Sequence, residues 1–350
     1  MNAIDTTVAI PARKKLTGSV DLTHGGGGRA MAELISSLFA HHFSNEFLDQ
    51  GNDGAVMPAV NGRLVMATDG HVISPLFFPG GDIGCLSVHG TINDLAMNGA
   101  KPLYLTAGFI LEEGFPLADL ERIVESMANA AREAGVPIVT GDTKVVEKGK
   151  GDGVFITTTG LGVIADGIDI SGANARPGDC ILVSGTIGDH GVAILSKREN
   201  LEFETEIRSD TAALHGMVAA MLETAPGVAV LRDPTRGGLS ATLNEIALQS
   251  GVGMELDEEK LPVSPDVAAA CELLGLDPLY VANEGKLICI CREADAEKVL
   301  AAMKGHRLGA DAAIVGRAIE DDRNLVRMRT GFGGLRVVDW IAGEQLPRIC

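Results

Sequence analysis

Residues 103–140 read LYLTAGFILEEGFPLADLERIVESMANAAREAGVPIVT, two apolar runs on either side of an amphipathic segment. The runs Leu103–Leu111 and Pro137–Thr140 have the length and composition of strands, and Leu117–Ala134 predicts a helix between them. Strand, helix and strand in succession are typical of an α/β (α+β) fold.

The same alternation continues on both sides and divides the chain into two domains, as its 350 residues also favour. Residues Ile170–Asp179 are rich in Gly and Pro and indicate a domain edge. We expect a mobile leader (1–20), an N-terminal β-rich domain (21–168), a C-terminal α/β domain (169–334) and a flexible tail (335–350). Further strands are predicted at Leu64–Thr68, Val154–Val163, Cys180–Ser184, Lys286–Cys291 and Ala312–Gly316, and further helices at Arg29–His41, Gly188–Lys197, Ser209–Thr224, Gly238–Gln249 and Ala294–Met303.

Charge and composition exclude several classes of function. The net charge of −18 repels phosphate backbones and anionic lipid surfaces, so we expect neither nucleic-acid nor membrane binding. No stretch approaches the ~20 apolar residues that span a bilayer, and Met1–Val20 lacks a signal pattern, which predicts a cytoplasmic protein. The six cysteines lack CxxC spacing, so most should be free core thiols in a reducing compartment.

Four acidic motifs in the N-terminal half are expected at strand ends or in turns. Carboxylates converging at one edge of a sheet repel one another unless a cation lies among them, and Mg²⁺ prefers such oxygen ligands. Asp-Gly pairs also form turns, so the alternative for each motif alone is a structural role. The motifs are Gly51-Asn52-Asp53-Gly54-Ala55, Thr68-Asp69-Gly70, Asn93-Asp94-Leu95-Ala96-Met97-Asn98-Gly99-Ala100 and Gly141-Asp142-Thr143-Lys144.

Glycine-rich loops supply candidate phosphate contacts. The run His24-Gly25-Gly26-Gly27-Gly28 precedes a predicted helix and exposes backbone N–H groups, although it lacks the P-loop pattern and is otherwise a flexible loop. Asp233-Pro234-Thr235-Arg236-Gly237-Gly238 also leads into a helix, and Arg232 and Arg236 form either a phosphate clamp or internal ion pairs.

Two further features suggest chemistry. Lys144 and Glu284 are charged residues beside apolar strands, and together in a dry cleft they would relay protons, whereas alone each is a surface charge. The chain ends Pro347-Arg348-Ile349-Cys350, which exposes a nucleophilic thiol at the last position. From Leu335 to Cys350 the tail would reach ~50 Å when extended, so the thiol is able to visit more than one site.

Together these motifs resemble the hydrogenase maturation proteins of the HypE family, within the ATP-binding superfamily of aminoimidazole ribonucleotide synthetase and selenophosphate synthetase. The resemblance runs from the Gly25–Gly28 loop to the last four residues. The internal motifs are superfamily motifs, and the PRIC-type end is specific to the HypE family.

The resemblance implies that residues 21–168 bind ATP and dimerise. A HypF-like partner would carbamoylate Cys350, and this chain would dehydrate the resulting S-carboxamide to a thiocyanate with ATP hydrolysis. A HypC–HypD-like complex would then receive the cyano group, as a cyanide ligand of the [NiFe]-hydrogenase iron. The implied roles are Mg²⁺–ATP binding by Asp53, Asp69, Asp94 and Asp142, further nucleotide contacts from Gly25, Gly26, Gly27, Gly28, Asn93, Arg232 and Arg236, and proton removal by Lys144 and Glu284.

Two other functions remain open from the sequence. One is a superfamily enzyme that acts on a free small-molecule amide or phosphate acceptor, for which Cys350 is irrelevant. The other is a nucleotide-sensing module in which ATP only orders the tail. On the dehydratase hypothesis a hinge at Gly331–Gly334 lets Cys350 swing outward for loading, and the tail lies inward when ATP is bound.

Overall fold

The computed structural model describes residues 16–201, 206–340 and 348–350. Most of the predicted leader therefore lies outside the described residues, as does the tail segment 341–347. The helices are α1 (Arg29–Leu34), α2 (Ala40–Phe43), α3 (Ile83–Met97), α4 (Leu117–Ala134), α5 (Asp189–Arg198), α6 (His215–Thr224), α7 (Gly238–Ser250), α8 (Pro265–Leu274) and α9 (Ala296–Gly305).

The strands are β1 (Arg63–His71), β2 (Phe77–Phe78), β3 (Gly81–Asp82), β4 (Ala100–Glu112), β5 (Ile138–Val146), β6 (Val154–Ile164), β7 (Cys180–Val183), β8 (Val228–Arg232), β9 (Gly253–Asp257), β10 (Ile288–Cys291), β11 (Ala313–Ile319), β12 (Val326–Arg329) and β13 (Leu335–Val337). A π-helical segment, Ile35–Phe39, joins α1 to α2, so the predicted helix Arg29–His41 is one continuous helical stretch.

The described strands form one large sheet in each half of the chain and a two-stranded sheet of β2 and β3 in the N-terminal half. The N-terminal sheet has the order β1-β6-β4-β5, with β4 and β5 parallel and the other pairs antiparallel. The C-terminal sheet has the order β13-β12-β9-β11-β7-β10-β8. Within the described residues, no helix is long and apolar enough to cross a membrane.

Helix α3 connects the two halves. Its earlier residues, such as Leu86 and Ile92, are buried in the core beneath the N-terminal sheet, whereas Ala96 and Met97 belong to the core on one face of the C-terminal sheet. At Gly84 a Cβ atom would lie 2.2 Å from the carbonyl oxygen of Ile123, so α3 and α4 cross in close contact there. Only glycine allows this approach.

The structure corrects two predictions of local structure. The motif Asn93–Ala100 was expected at a strand end or in a turn, but Asn93 and Asp94 lie within α3. Twelve of the fifteen residues of α3 are buried, so it lacks the polar face by which a helix is recognised.

The second correction concerns the start of the tail. Leu335–Val337 forms β13 and pairs with β12, so this part of the predicted flexible tail belongs to the sheet. Gly331–Gly334, the expected hinge, lies in the turn between these strands, where Thr330 N–H donates to the Gly334 carbonyl at 2.8 Å.

We expect Asn93→Ala to lower the free energy of unfolding by about 1–3 kcal/mol, because it leaves buried polar groups unpaired. The Asn93 side chain is 1% exposed, donates to the carbonyls of Ala212 (3.0 Å) and Glu284 (3.3 Å), and accepts from Leu214 N–H (2.8 Å). Urea unfolding measures the effect.

The matched control is Asn98→Ala, at the exposed end of the same helix, for which a change within about 0.5 kcal/mol is expected. Equal stability of the two variants would contradict a structural role for Asn93.

Candidate active site

Glu284 is buried where the C-terminal half of the chain contacts α3, among acidic residues that we call the acidic cleft. Glu284 is 4% exposed, and its Oε1 atom has no hydrogen-bond partner among the described residues. The backbone is held on both sides: Glu284 N–H donates to Asp210 Oδ1 at 3.0 Å, and the carbonyl accepts from Asn93. Burial, followed by the charges of Asp233, Asp210 and Asp69, raises the pKa of Glu284 well above its ordinary value.

Three aspartates from different elements lie close together beside Glu284. Asp69 is on β1, Asp94 is on α3, and Asp233 directly follows β8. Burial and the charges of Asp233 and Asp69 raise the pKa of Asp94 to about 7, and burial raises the pKa of Asp233 to about 6. Such crowding of carboxyl groups favours either protonation or a bound cation.

The two arginines in residues 232–238, Arg232 and Arg236, have different surroundings. Arg232 forms an ion pair with Glu245, and its charge also opposes the increase in the pKa of Asp94 and of Asp233. Arg236 is exposed, and its charge opposes the increase in the pKa of Glu284. An internal ion pair, one of the two sequence alternatives, is thus present for Arg232.

The C-terminal thiol lies in this same cleft. Cys350 packs against the core of the N-terminal domain, and its carbonyl accepts a hydrogen bond from Val72 N–H at 3.2 Å. Burial, with Glu284 as the strongest charged contributor, raises the pKa of the thiol to about 12. The thiol is therefore neutral at physiological pH.

A second group of predicted residues surrounds a cavity beside β5. Asp53 and Asp142 line this cavity of about 640 Å³, together with apolar residues such as Met31, Ile35 and Phe39. Lys144 Nζ donates to both oxygens of Asp142, at 2.6 and 2.5 Å, and lowers its pKa.

The Gly25–Gly28 loop also lies on the β5 side. A Cβ atom on Gly25 would lie 2.9 Å from Val145 Cβ, whereas nothing lies within 4 Å of the corresponding positions on Gly27 and Gly28. The loop therefore contacts β5 through Gly25 and leaves space around Gly27 and Gly28 for a ligand, where the Gly27 N–H donates only to the weak acceptor Met31 Sδ, at 3.3 Å.

The two groups lie at opposite edges of the N-terminal sheet. β1 and β5 are separated by three strand spacings, or about 14 Å. Asp69 and Asp94 therefore lie apart from Asp53 and Asp142, and Lys144, whose side chain is 64% exposed, lies apart from Glu284. Among the described residues no three His, Cys, Asp or Glu groups are placed to hold a metal ion by themselves.

Two residues of the cleft were not predicted as site residues. Asp233 begins the motif that leads into α7, in which Arg236 is the predicted nucleotide contact. His71 is 1% exposed, and neither ring nitrogen has a hydrogen-bond partner within residues 16–201, 206–340 and 348–350. Its Nε2 atom lies 3.3 Å from Asp69 Oδ2. The only sequence signal for His71 is its two-residue spacing from Asp69, which places both on one face of a strand.

Family models match most of the chain. The N-terminal domain of AIR synthase related proteins matches residues 51–164, and the corresponding C-terminal domain matches residues 176–329. The carbamoyl dehydratase HypE of Cupriavidus necator is 73% identical over 336 residues, which is 95% of each chain. The carbamoyl dehydratase HypE of Escherichia coli K12 is 49% identical over 337 residues, or 95% of this chain and 99% of that protein.

Solved structures agree with these relationships. A crystal structure of hydrogenase maturation protein HypE in complex with ATP has a TM-score of 0.91 and 51% identity, and covers 94% of this chain and 99% of that chain. A HypE–HypF complex gives a TM-score of 0.78 at 51% identity, over 88% of this chain and 99% of that chain. The resemblance drawn from the motifs and the two-domain α/β fold are confirmed, and the chain belongs to the HypE family of ATP-dependent carbamoyl dehydratases.

Proposed function

We propose that this protein dehydrates an S-carboxamide on its own Cys350 to a thiocyanate, using ATP, and so supplies the cyanide ligand of the [NiFe]-hydrogenase iron. The observation that carries the proposal is the position of the Cys350 thiol in the buried acidic cleft beside Glu284. A dehydratase that acts on a free amide would have no reason to place its own C-terminus there.

The reaction requires that the amide oxygen be converted into a good leaving group and that a base remove the two N–H protons. ATP supplies the phosphoryl group that makes the amide oxygen a good leaving group. Glu284 is suited to remove protons because its raised pKa makes its carboxylate a stronger base than an exposed glutamate. Burial of the cleft keeps water away from the thiocyanate carbon.

The residues fit a magnesium nucleotide, although the described chain holds no complete metal cage. Mg²⁺ is usually held by one or two carboxylates together with substrate phosphates, so Asp53 and Asp142, which line the cavity beside β5, are sufficient donors. Asp69 and Asp94 lie at the opposite edge of the sheet and would meet this nucleotide only from a partner subunit. The apolar cavity bounded by Asp53 and Asp142 suits an aromatic base. The open backbone of Gly27 and Gly28 suits the phosphates.

A homodimer explains why Lys144 is remote from Glu284 within one chain. One face of the N-terminal sheet carries the exposed apolar side chains of Leu64, Met66 and Ile110. Lys144 aligns with Ile110 in the pairing of β5 with β4, so it lies on this same face. We propose that two copies pair across this face and that Lys144 acts at the cleft of the partner subunit.

Two partners complete the proposed reaction sequence. A HypF-like carbamoyltransferase loads Cys350, supported by the HypE–HypF complex of a relative. A HypC–HypD-like complex accepts the cyano group on iron. Both exchanges require Cys350 to leave the cleft, because the thiol is largely buried there.

Intact mass spectrometry tests the assignment of Cys350. The wild type should gain one carbamoyl group from a HypF-like partner and then lose one water on addition of Mg²⁺–ATP. Cys350→Ala should show neither change, whereas Cys85→Ala, which removes another partly exposed thiol, should behave like the wild type. Loading of Cys350→Ala would refute the proposal.

A pH profile tests Glu284. Because only the ionised carboxylate accepts a proton, the dehydration rate of loaded protein should rise as the pH rises through the raised pKa of Glu284. Glu284→Gln should load normally and dehydrate about 10²–10⁴-fold more slowly. The exposed Glu297→Gln serves as the control. A flat profile from about pH 5 to 8, together with an active Glu284→Gln, would exclude Glu284 as the base.

Mixed dimers test whether the site is shared. Lys144→Met and Glu284→Gln homodimers should each be inactive, but a heterodimer of the two variants retains one complete site and should recover activity. Differently tagged chains, co-expressed and purified in tandem, provide the heterodimer. If Lys144 acts within its own chain, both sites of the heterodimer are defective and no activity returns.

A further inference from the structure

The last three residues lie in a groove and pair with the chain that follows β1. Val72 N–H donates to the Cys350 carbonyl at 3.2 Å, and Ser74 N–H donates to the Arg348 carbonyl at 3.3 Å. The N–H groups of every second residue in 72–74 thus donate to the carbonyls of every second tail residue, and the two segments run antiparallel. This is the pattern of a peptide strand added to an existing strand end.

A buried histidine binds the carbonyl of Ile349, which lies between the carbonyls of Arg348 and Cys350. His190, on α5, is fully buried, and its Nε2 lies 2.8 Å from the Ile349 carbonyl oxygen. Since a carbonyl only accepts, Nε2 carries the proton, and Nδ1 accepts from Ser209 Oγ at 2.8 Å. The ring of Phe78 lies edge-on to the imidazole at 5.6 Å and helps to fix its orientation.

Arg198 connects both strands of the groove. Its guanidinium donates to the Ser74 carbonyl at 3.0 and 2.7 Å and to the Arg348 carbonyl at 2.9 Å. Each of the three tail carbonyls therefore has a donor from the body of the protein. These hydrogen bonds are made to the tail backbone and not to its side chains. They therefore fix where the tail lies along the groove.

Two tail side chains add sequence recognition. Ile349 is 3% exposed and lies in the apolar core of the N-terminal domain. Arg348 forms an ion pair with Asp152 and donates from Nε to the Val72 carbonyl at 3.1 Å. Arg348 also has a φ of 54°, a left-handed conformation that costs energy for a residue other than glycine and needs surrounding contacts to persist.

We propose that this groove is a docking site for a chain end of sequence Arg-Ile-Cys, and that His190, Arg198 and Asp152 are positioning residues that hold Cys350 in the acidic cleft. All three act on the backbone or on Arg348. The link from docking to dehydration rests on the proposed function, whereas the docking itself does not.

Docking should be measurable through the reactivity of Cys350. In the groove the thiol is buried and neutral, so alkylation proceeds mainly through the undocked tail. Loss of one buried hydrogen bond should shift the ratio of undocked to docked tail by roughly five- to tenfold. The exposed pair Arg348–Asp152 should contribute less, about twofold.

The experiment is iodoacetamide alkylation of the full-length protein, with peptide mapping to measure the rate at Cys350. His190→Leu should react roughly five- to tenfold faster than the wild type. His190→Gln should stay near the wild-type rate, because its amide nitrogen occupies the region of Nε2. The buried Cys180, Cys271, Cys289 and Cys291 serve as internal reporters and should remain protected in every variant.

Asp152→Asn provides a second test at an exposed position, where the fold is not at risk. Its matched control is Glu293→Gln, which removes a comparably exposed ion pair with Arg317. An unchanged Cys350 rate in Asp152→Asn, together with either an unchanged rate or unfolding in His190→Leu, would overturn the docking site.

Loading and dehydration assays separate this inference from the proposed function. Faster alkylation, normal or faster carbamoylation and slower dehydration in His190→Leu would support both. Faster alkylation with an unchanged dehydration rate would support the docking site and refute its role in dehydration.

Discussion

The crowding of four carboxyl groups around the buried Glu284 is the constraint on which the rest of this structure depends. Glu284, Asp69, Asp94 and Asp233 come from four separate segments, and burial together with the charges of Asp233 and Asp69 raises the pKa of both Glu284 and Asp94. The cleft persists because the backbone around it is fixed: Asn93 and Asp210 hold Glu284, and α3 lies between the two domain cores. The folding energy of both domains thus maintains a local concentration of charge that would not assemble alone.

This concentration of negative charge explains how the thiol is held. Burial and the charges of Glu284 and the aspartates disfavour a thiolate, so Cys350 is neutral and contributes no ionic attraction of its own. The tail is held instead through carbonyl groups, the buried side chain of Ile349 and the charge of Arg348. An anchor that leaves the reacting atom free suits a residue whose chemical form changes during the reaction.

The strongly periodic elements could be predicted from the sequence. Helix α4 begins and ends at the expected residues because one face is apolar and the other charged. Helix α3 could not be predicted in this way, because it is buried on nearly all sides and its sequence lacks the alternation of apolar and polar faces. The glycine-rich residues Gly331–Gly334 predict either a flexible hinge or a tight turn, because glycine permits both. The pairing of β12 with β13 shows that they form a turn.

By itself the sequence determined the fold class, the family and the residue types needed for the chemistry, because these depend on local periodicity and short motifs. Tertiary structure decided which of those residues meet. Asp53 and Asp142 lie at one edge of a sheet and Asp69 at the other. His71 and His190 belong to no motif, and Asp233 belongs to a motif that indicates phosphate contacts and not a place beside Glu284. The physical reason is that strand order and the packing of α3 set distances between residues far apart in the chain, and those distances fix pKa values, hydrogen bonds and the place where Cys350 can rest.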